Sequence, residues 1–127
     1  MFKLFKRNDA TVPVVKEFPA AAGTYKVGDA LIISDGLLTK TSGTNTPTYI
    51  SAGQGTLASG DLLAVNFISE DKEWKTTLSA AGGSLKVGDK VTIETDSARV
   101  TATTTNGVAE LKDIISTAIG GAVIVKF

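Results

Sequence analysis

Apolar and polar positions alternate through most of this chain in short runs, and the runs are set apart by Gly, Asp, Asn and Ser. A two-residue period with turn formers between the runs predicts half-buried strands joined by tight turns. In the first third the pattern gives strands at residues 25–27, 30–34 and 37–41. Asp35-Gly36, between the last two, is the strongest hairpin signal in the sequence. Residues 42–47 are rich in turn formers and lack apolar anchors, which predicts an exposed loop before a strand at 48–51. Runs at 62–69 and 74–78 flank Glu70-Asp71-Lys72-Glu73 and are expected to pair as a hairpin, its charged tip solvated rather than calcium-binding. Further strands are expected at 90–95 and 98–104, around a turn at Asp96-Ser97. The period then changes. After Asn106-Gly107, the apolar residues Val108, Leu111, Ile114, Ile115, Ala118 and Ile119 fall on one side of a helical wheel and Glu110, Lys112, Asp113 and Ser116 on the other. That spacing predicts a helix of about three turns. Gly120-Gly121 would end it, before a closing strand at 122–127.

One phrase occurs twice, sixty positions apart: Gly23-Thr24-Tyr25-Lys26-Val27-Gly28-Asp29-Ala30-Leu31-Ile32-Ile33 and Gly83-Ser84-Leu85-Lys86-Val87-Gly88-Asp89-Lys90-Val91-Thr92-Ile93. A weaker echo runs through Ser59-Gly60-Asp61-Leu62-Leu63-Ala64-Val65. In each copy Gly-Asp turns the backbone into an alternating run. Gly28 and Gly88 are therefore expected at positive φ, each following Asp bonding its own turn, with Val27 and Val87 pointing into the core. A phosphate-gripping loop would need more glycines, a following helix and a Lys-Ser/Thr pair, none of which is present. The chain is thus expected to be mainly β, a small antiparallel barrel or sandwich built from two related halves, with one short helix near its C-terminal end.

At 127 residues, the length suits a single domain, here residues 20–127. The sequence contains no cysteine, which removes disulfides and thiolate metal sites. It also contains no histidine, which removes Ser-His and Cys-His nucleophiles and the commonest zinc ligand. Carboxylates and lysines remain as candidate chemistry. Asp29, Asp35, Asp61, Asp89 and Asp96 all adjoin Gly or Ser, where turn capping is expected of them. Lys26 and Lys86 are expected on outer faces, and Trp74 reads as a core residue first and a contact anchor second. No catalytic, metal or cofactor site is expected. The 13 basic and 13 acidic residues cancel, so neither nucleic acid nor an anionic membrane is an expected partner. No apolar run reaches membrane-spanning length, and Lys3, Lys6 and Arg7 interrupt what would be the middle of a secretion signal, so cytoplasmic synthesis is expected.

Residues 1–19 differ from the rest. Pro13 and Pro19 break them, no useful period runs through them, and Phe2, Leu4 and Phe5 are interleaved with Lys3, Lys6 and Arg7. They read as an extended N-terminal arm whose apolar side chains must be buried against either the body of the protein or another molecule.

The repeat, a Thr/Gly/Ala-rich body of this length, and Gly53-Gln54-Gly55 ahead of Gly60-Asp61-Leu62-Leu63-Ala64-Val65 resemble the small capsid decoration, or cement, proteins of tailed bacteriophages. The resemblance implies a structural virion protein, not an enzyme, made in the host cytoplasm. Such a protein binds the outer capsid surface and stabilises the seams between capsomers. The implied partner is the major capsid protein, with a trimer on a local three-fold position as a candidate assembly. Phe2, Leu4 and Phe5 would then be the apolar anchors, with Lys3, Lys6 and Arg7 meeting acidic groups on the shell, and the arm would order only when docked. A receptor- or carbohydrate-binding module of a tail or fibre would instead use the loop at 42–48 and stack on Trp74. A carboxylate-dependent hydrolase would need two acids converging in a pocket.

Overall fold

In the computed structural model, which describes residues 1–7 and 15–127, Asp35 and Gly36 both take positive φ, 51° and 77°. A type I′ turn requires this of its two central residues. The turn joins two of twelve strands found among the described residues: β1 (Lys3–Arg7), β2 (Val15–Pro19), β3 (Gly23–Tyr25), β4 (Ala30–Ser34), β5 (Leu37–Lys40), β6 (Tyr49–Ser51), β7 (Gly55–Leu57), β8 (Leu62–Phe67), β9 (Lys72–Thr77), β10 (Lys90–Val91), β11 (Ala109–Ile114) and β12 (Ala122–Lys126). One five-stranded sheet has the order β1-β9-β12-β11-β10, a second β2-β8-β6-β4-β5, and β3 pairs with β7. All of these pairings are antiparallel. The body is mainly β, and its sheets do not close into a barrel. An isolated parallel bridge between Ala20 and Leu38 links the outer strands of the second sheet at one point.

Two apolar clusters hold the sheets. The larger gathers Trp74, Leu111, Val123 and Val125 of the first sheet with Phe2, Leu78, Ile93 and Val100, and reaches Ala30 and Ile50 of the second. The smaller lies among Ala20, Tyr25, Leu31, Leu38, Leu63 and Val65. Trp74 is a core residue, as its alternating surroundings predict.

The repeat is a backbone clasp. Gly28 and Gly88 take φ of 90° and 97°, and Gly60 in the weaker echo takes 92°. In every copy the Asp carboxylate accepts the N–H three residues back, that of Lys26, Lys86 or Ala58, each at 2.9 Å. The Gly N–H then donates to a distant carbonyl, and the Asp carbonyl accepts the N–H of that same distant residue. The partners are Ser51 (2.8 and 2.9 Å), Leu111 (2.8 and 2.8 Å) and Ala20 (2.9 and 2.8 Å). Each clasp leads directly into a strand, β4 and β8 in the second sheet and β10 in the first, so the same device starts strands in both sheets. Val27 and Val87, however, are exposed. The inward residues are Tyr25 and Leu85, two positions earlier. At Gly60 and Gly88 a β-carbon would meet open space, so alanine there should cost only the positive-φ strain, about 1–2 kcal/mol. At Gly28 it would also strike the Met1 side chain at 1.9 Å. Urea midpoints should therefore fall further for Gly28→Ala than for Gly60→Ala or Gly88→Ala.

Three further expectations are corrected. The helix expected over residues 108–119 is a strand, β11, followed by a loop. The pairing of β11 with β12 slips between Leu111 and Asp113, and this bulge at Lys112 puts Leu111 and Ile114 three apart while both still face apolar neighbours. A bulged strand thus imitates a helical period. The runs at 62–69 and 74–78 do not pair with each other. β8 lies in the second sheet and β9 in the first, so residues 68–71 carry the chain from sheet to sheet, and Lys72 and Glu73 of the expected tip already belong to β9. Lys72 there is buried, its ammonium donating to the Phe67 carbonyl at 2.6 Å. Finally, the segment expected to order only on a partner is built into both sheets. β1 pairs with β9 and β2 with β8, while residues 8–14, with Asp9 and Pro13, lie outside the described residues.

The reversal at Asp96-Ser97 stands, with Ser97 at φ 61°, but its flanks are irregular beyond β10. Glu94 N–H donates to Arg99 O at 2.8 Å, and Thr101 N–H to Thr92 O at 2.9 Å.

Candidate functional site

β1 is an outer strand of the first sheet, and it divides the six expected contact residues. Phe2, just before it, is 2% exposed, with its ring edge-on to Phe127 at 5.3 Å and its N–H bonded to Gly28 O at 2.8 Å. It anchors the protein's own core. Leu4 packs against the same cluster. Phe5 does neither: the register with β9 shifts between Leu4 and Lys6, and Phe5, the residue at the shift, is 57% exposed. An extra residue in one strand loses its ladder partner and is re-aimed, which is how a phenylalanine comes to stand in water here. Lys3 is exposed opposite Lys75, and the backbone places Lys6 opposite Glu73 and Arg7 opposite Lys72. The strand thus brings Lys3, Phe5, Lys6 and Arg7 to one sheet edge and takes Phe2 away from it.

Four of the aspartates expected in turns behave as turn residues. Asp29, Asp61 and Asp89 cap the three clasps, and Asp96 accepts the N–H groups of Ala98 and Arg99 and the Arg99 side chain at 2.6 Å. Burial pushes the Asp96 carboxyl up, but these hydrogen bonds and the Arg99 charge outweigh it and hold it below its ordinary value. Hydrogen bonds from Ser79 and from Thr95 likewise lower Glu94. Groups depressed in the folded state stabilise it above their unfolded pKa, and that contribution is lost as pH falls through the folded value. Stability should therefore be flat down to the carboxylate range and decline below it. Asp96→Asn should flatten that decline in melts recorded across acidic pH.

Asp29 is buried and also meets Lys40 at 3.1 Å. Above this pair Tyr25 donates to Ala21 O and Leu38 O at 2.7 and 3.2 Å. Its phenol is held above its usual pKa by burial and then by the Asp29 charge. Tyr25, Lys40, Thr24 and Thr39 line a cleft of about 230 Å³ whose polar side chains are largely engaged with the protein itself. Among the described residues, no group of three or more His, Cys, Asp or Glu is placed to hold a metal ion.

For a glycan surface, Trp74 is out of reach in the core. The loop at 42–47 exposes Thr44, Asn45 and Thr46, but Gly43 is tied to Ile93 by two backbone hydrogen bonds of 2.8 and 3.0 Å. Two surface features escaped the sequence reading. Phe18, Tyr49 and Phe67 from three strands pack ring to ring at 5.2–6.2 Å and are only half-buried. The loop after β11 exposes Ile115 and Ile119. Cross-strand register would have exposed the first, and recognition of the bulge the second. Compared with known protein families and with curated proteins, the chain matches none of them.

Proposed function

We propose that this chain is a structural protein of a phage virion that binds the outer surface of the capsid, through the major capsid protein, and stabilises the seams between capsomers. The observation that carries the reading is Phe5, a large apolar side chain held out in water on an outer strand paired with β9, next in sequence to basic residues. An exposed aromatic flanked by positive charge fits an apolar pocket rimmed by acidic groups, with the ring supplying affinity and the charges register. The resemblance suggests the class of partner, and the position of β1 at the sheet edge supports it as the contact strand. Binding the assembled shell in preference to its separated subunits stabilises the shell by mass action. The burial of Trp74 removes the stacking residue on which a glycan-binding alternative leaned.

Phe5→Ser should leave the melting temperature of the isolated protein within a few degrees of the parent, because the side chain is already in water. Its retention on purified capsids in co-sedimentation should fall by about tenfold or more. Raised salt should weaken retention only modestly, by screening the basic residues. Full retention of Phe5→Ser would move the contact elsewhere on the body. Absence of binding by the parent protein would end the capsid reading.

A further inference from the structure

Four asparagines occur in the chain, and Asn106 alone precedes a glycine. It stands in the turn between Thr104 and Gly107, exposed, at φ 54°. The Gly107 N–H closes that turn only loosely, 3.4 Å from the Thr104 carbonyl. On its other side Gly107 has no slack. A β-carbon there would lie 2.0 Å from the Lys90 carbonyl oxygen and 2.2 Å from its carbon, and the next N–H, that of Val108, is bonded to Val91 O at 3.0 Å. A soft turn therefore ends in a residue wedged against the backbone of β10.

We infer that Asn106 is a site of spontaneous deamidation, and that its isoaspartyl product loosens the pairing of β10 with β11. Asparagine amides are thermally labile, and attack by the next backbone nitrogen is least hindered where that residue is glycine. When the turn opens, the Gly107 nitrogen attacks Asn106 Cγ. The N–Cγ bond forms, the Cγ–Nδ2 bond breaks, and ammonia leaves with the proton that the Gly107 nitrogen gives up. Water then opens the five-membered imide. Opening at the former main-chain carbonyl leaves the chain running through Cβ and Cγ of residue 106, one carbon longer, with a new carboxylate beside it. Neither of the other described asparagines offers this. Asn45 is followed by β-branched Thr46, and its side-chain amide donates to the Ser42 carbonyl at 3.4 Å. Asn66 lies inside β8, opposite Val15 and Ile50, with Phe67 after it. At residue 107 the extra carbon has nowhere to go. The chain cannot shift toward β10 without displacing Lys90, whose pairing with Glu110, and that of Val91 with Ala109, makes up the whole short ladder. At Asp35-Gly36, an exposed turn where the same imide can form, a β-carbon on Gly36 would meet open space, so a longer chain is tolerated there.

The test uses the full chain alone, so its outcome does not depend on the capsid reading. In warm, mildly alkaline buffer the peptide containing Asn106 should gain about 1 Da and become a substrate for isoaspartyl methyl transfer, about tenfold or more faster than the peptide containing Asn45. Each event adds one negative charge, so anion exchange separates the modified fraction, which should unfold at a lower urea concentration than the unmodified one. Asn106→Gly keeps the positive φ and removes the reactive amide, so its urea midpoint should not drift over the same incubation. Deamidation at Asn106 no faster than at Asn45 would overturn the inference. So would a modified fraction that unfolds together with the unmodified one, or an Asn106→Gly variant whose midpoint drifts as the parent's does.

Discussion

Phe2→Ala is expected to lower the free energy of unfolding by about 3–5 kcal/mol, the range for emptying a buried aromatic site. The readout is a fall in the denaturant midpoint with an unchanged slope. The ring is buried in the larger apolar cluster, edge-on to Phe127, and the Phe2 backbone N–H reaches the first clasp at Gly28. Truncation would therefore leave a cavity lined by the larger apolar cluster. Phe5→Ala, three residues on, should change stability by no more than about 0.5 kcal/mol. Two phenylalanines in one short basic segment thus have opposite assignments, one to the fold and one to the surface. If both substitutions left stability untouched, β1 would be detached from β9 in solution, and the free-arm reading would return.

Gly107→Ala should be nearly as damaging through a different mechanism. A β-carbon at residue 107 would stand 2.0 Å from the Lys90 carbonyl oxygen and 2.6 Å from the Val91 nitrogen. Both atoms belong to the backbone of β10, which is paired with β11 through Lys90–Glu110 and Val91–Ala109. No rotamer change relieves such a contact, so the strand must move and its ladder with it. The expected cost is about 3 kcal/mol or more, measured by chemical denaturation. Gly83→Ala, where a β-carbon would meet nothing within 4 Å, is the matching control and should stay near the parent. Equal stability of the two variants would show that β10 yields without loss.

What could be read from the sequence was local. Asp35-Gly36 fixes its hairpin because the turn residues themselves demand positive φ, and the Gly-Asp turns follow from the same chemistry. What could not be read was non-local. The residues from Leu62 to Leu78 form two alternating runs around a polar tip whether the strands pair with each other or leave for different sheets. Only their partners, β2 and β6 for one and β1 and β12 for the other, decide it. The bulge at Lys112 hid β11 by replacing a period of two with a spacing of three. The clasp misled at Val27 and Val87 because the inward position is set by the distant strand it grips, not by the turn. The candidate contact strand was half legible. Lys3 is exposed as its charge suggested, whereas Phe5, apolar and expected to be covered, stands in water, and Phe2 is buried against the protein's own body.

The strand order of the first sheet has a consequence for synthesis on the ribosome. β1 is made before every strand of the second sheet, yet its partner β9 lies beyond that whole sheet in the chain, and the other side of β9 stays open until β12 is made. The second sheet draws its strands only from the first 67 residues and is able to assemble early. The first sheet must be completed afterwards, around a leading segment that has waited with its phenylalanines uncovered. Such long-range closure is slow relative to hairpin formation. A nascent chain of this protein therefore passes through a stage in which one half is folded and the other remains adhesive, and the basic residues interleaved in β1 are suited to keeping that stage soluble.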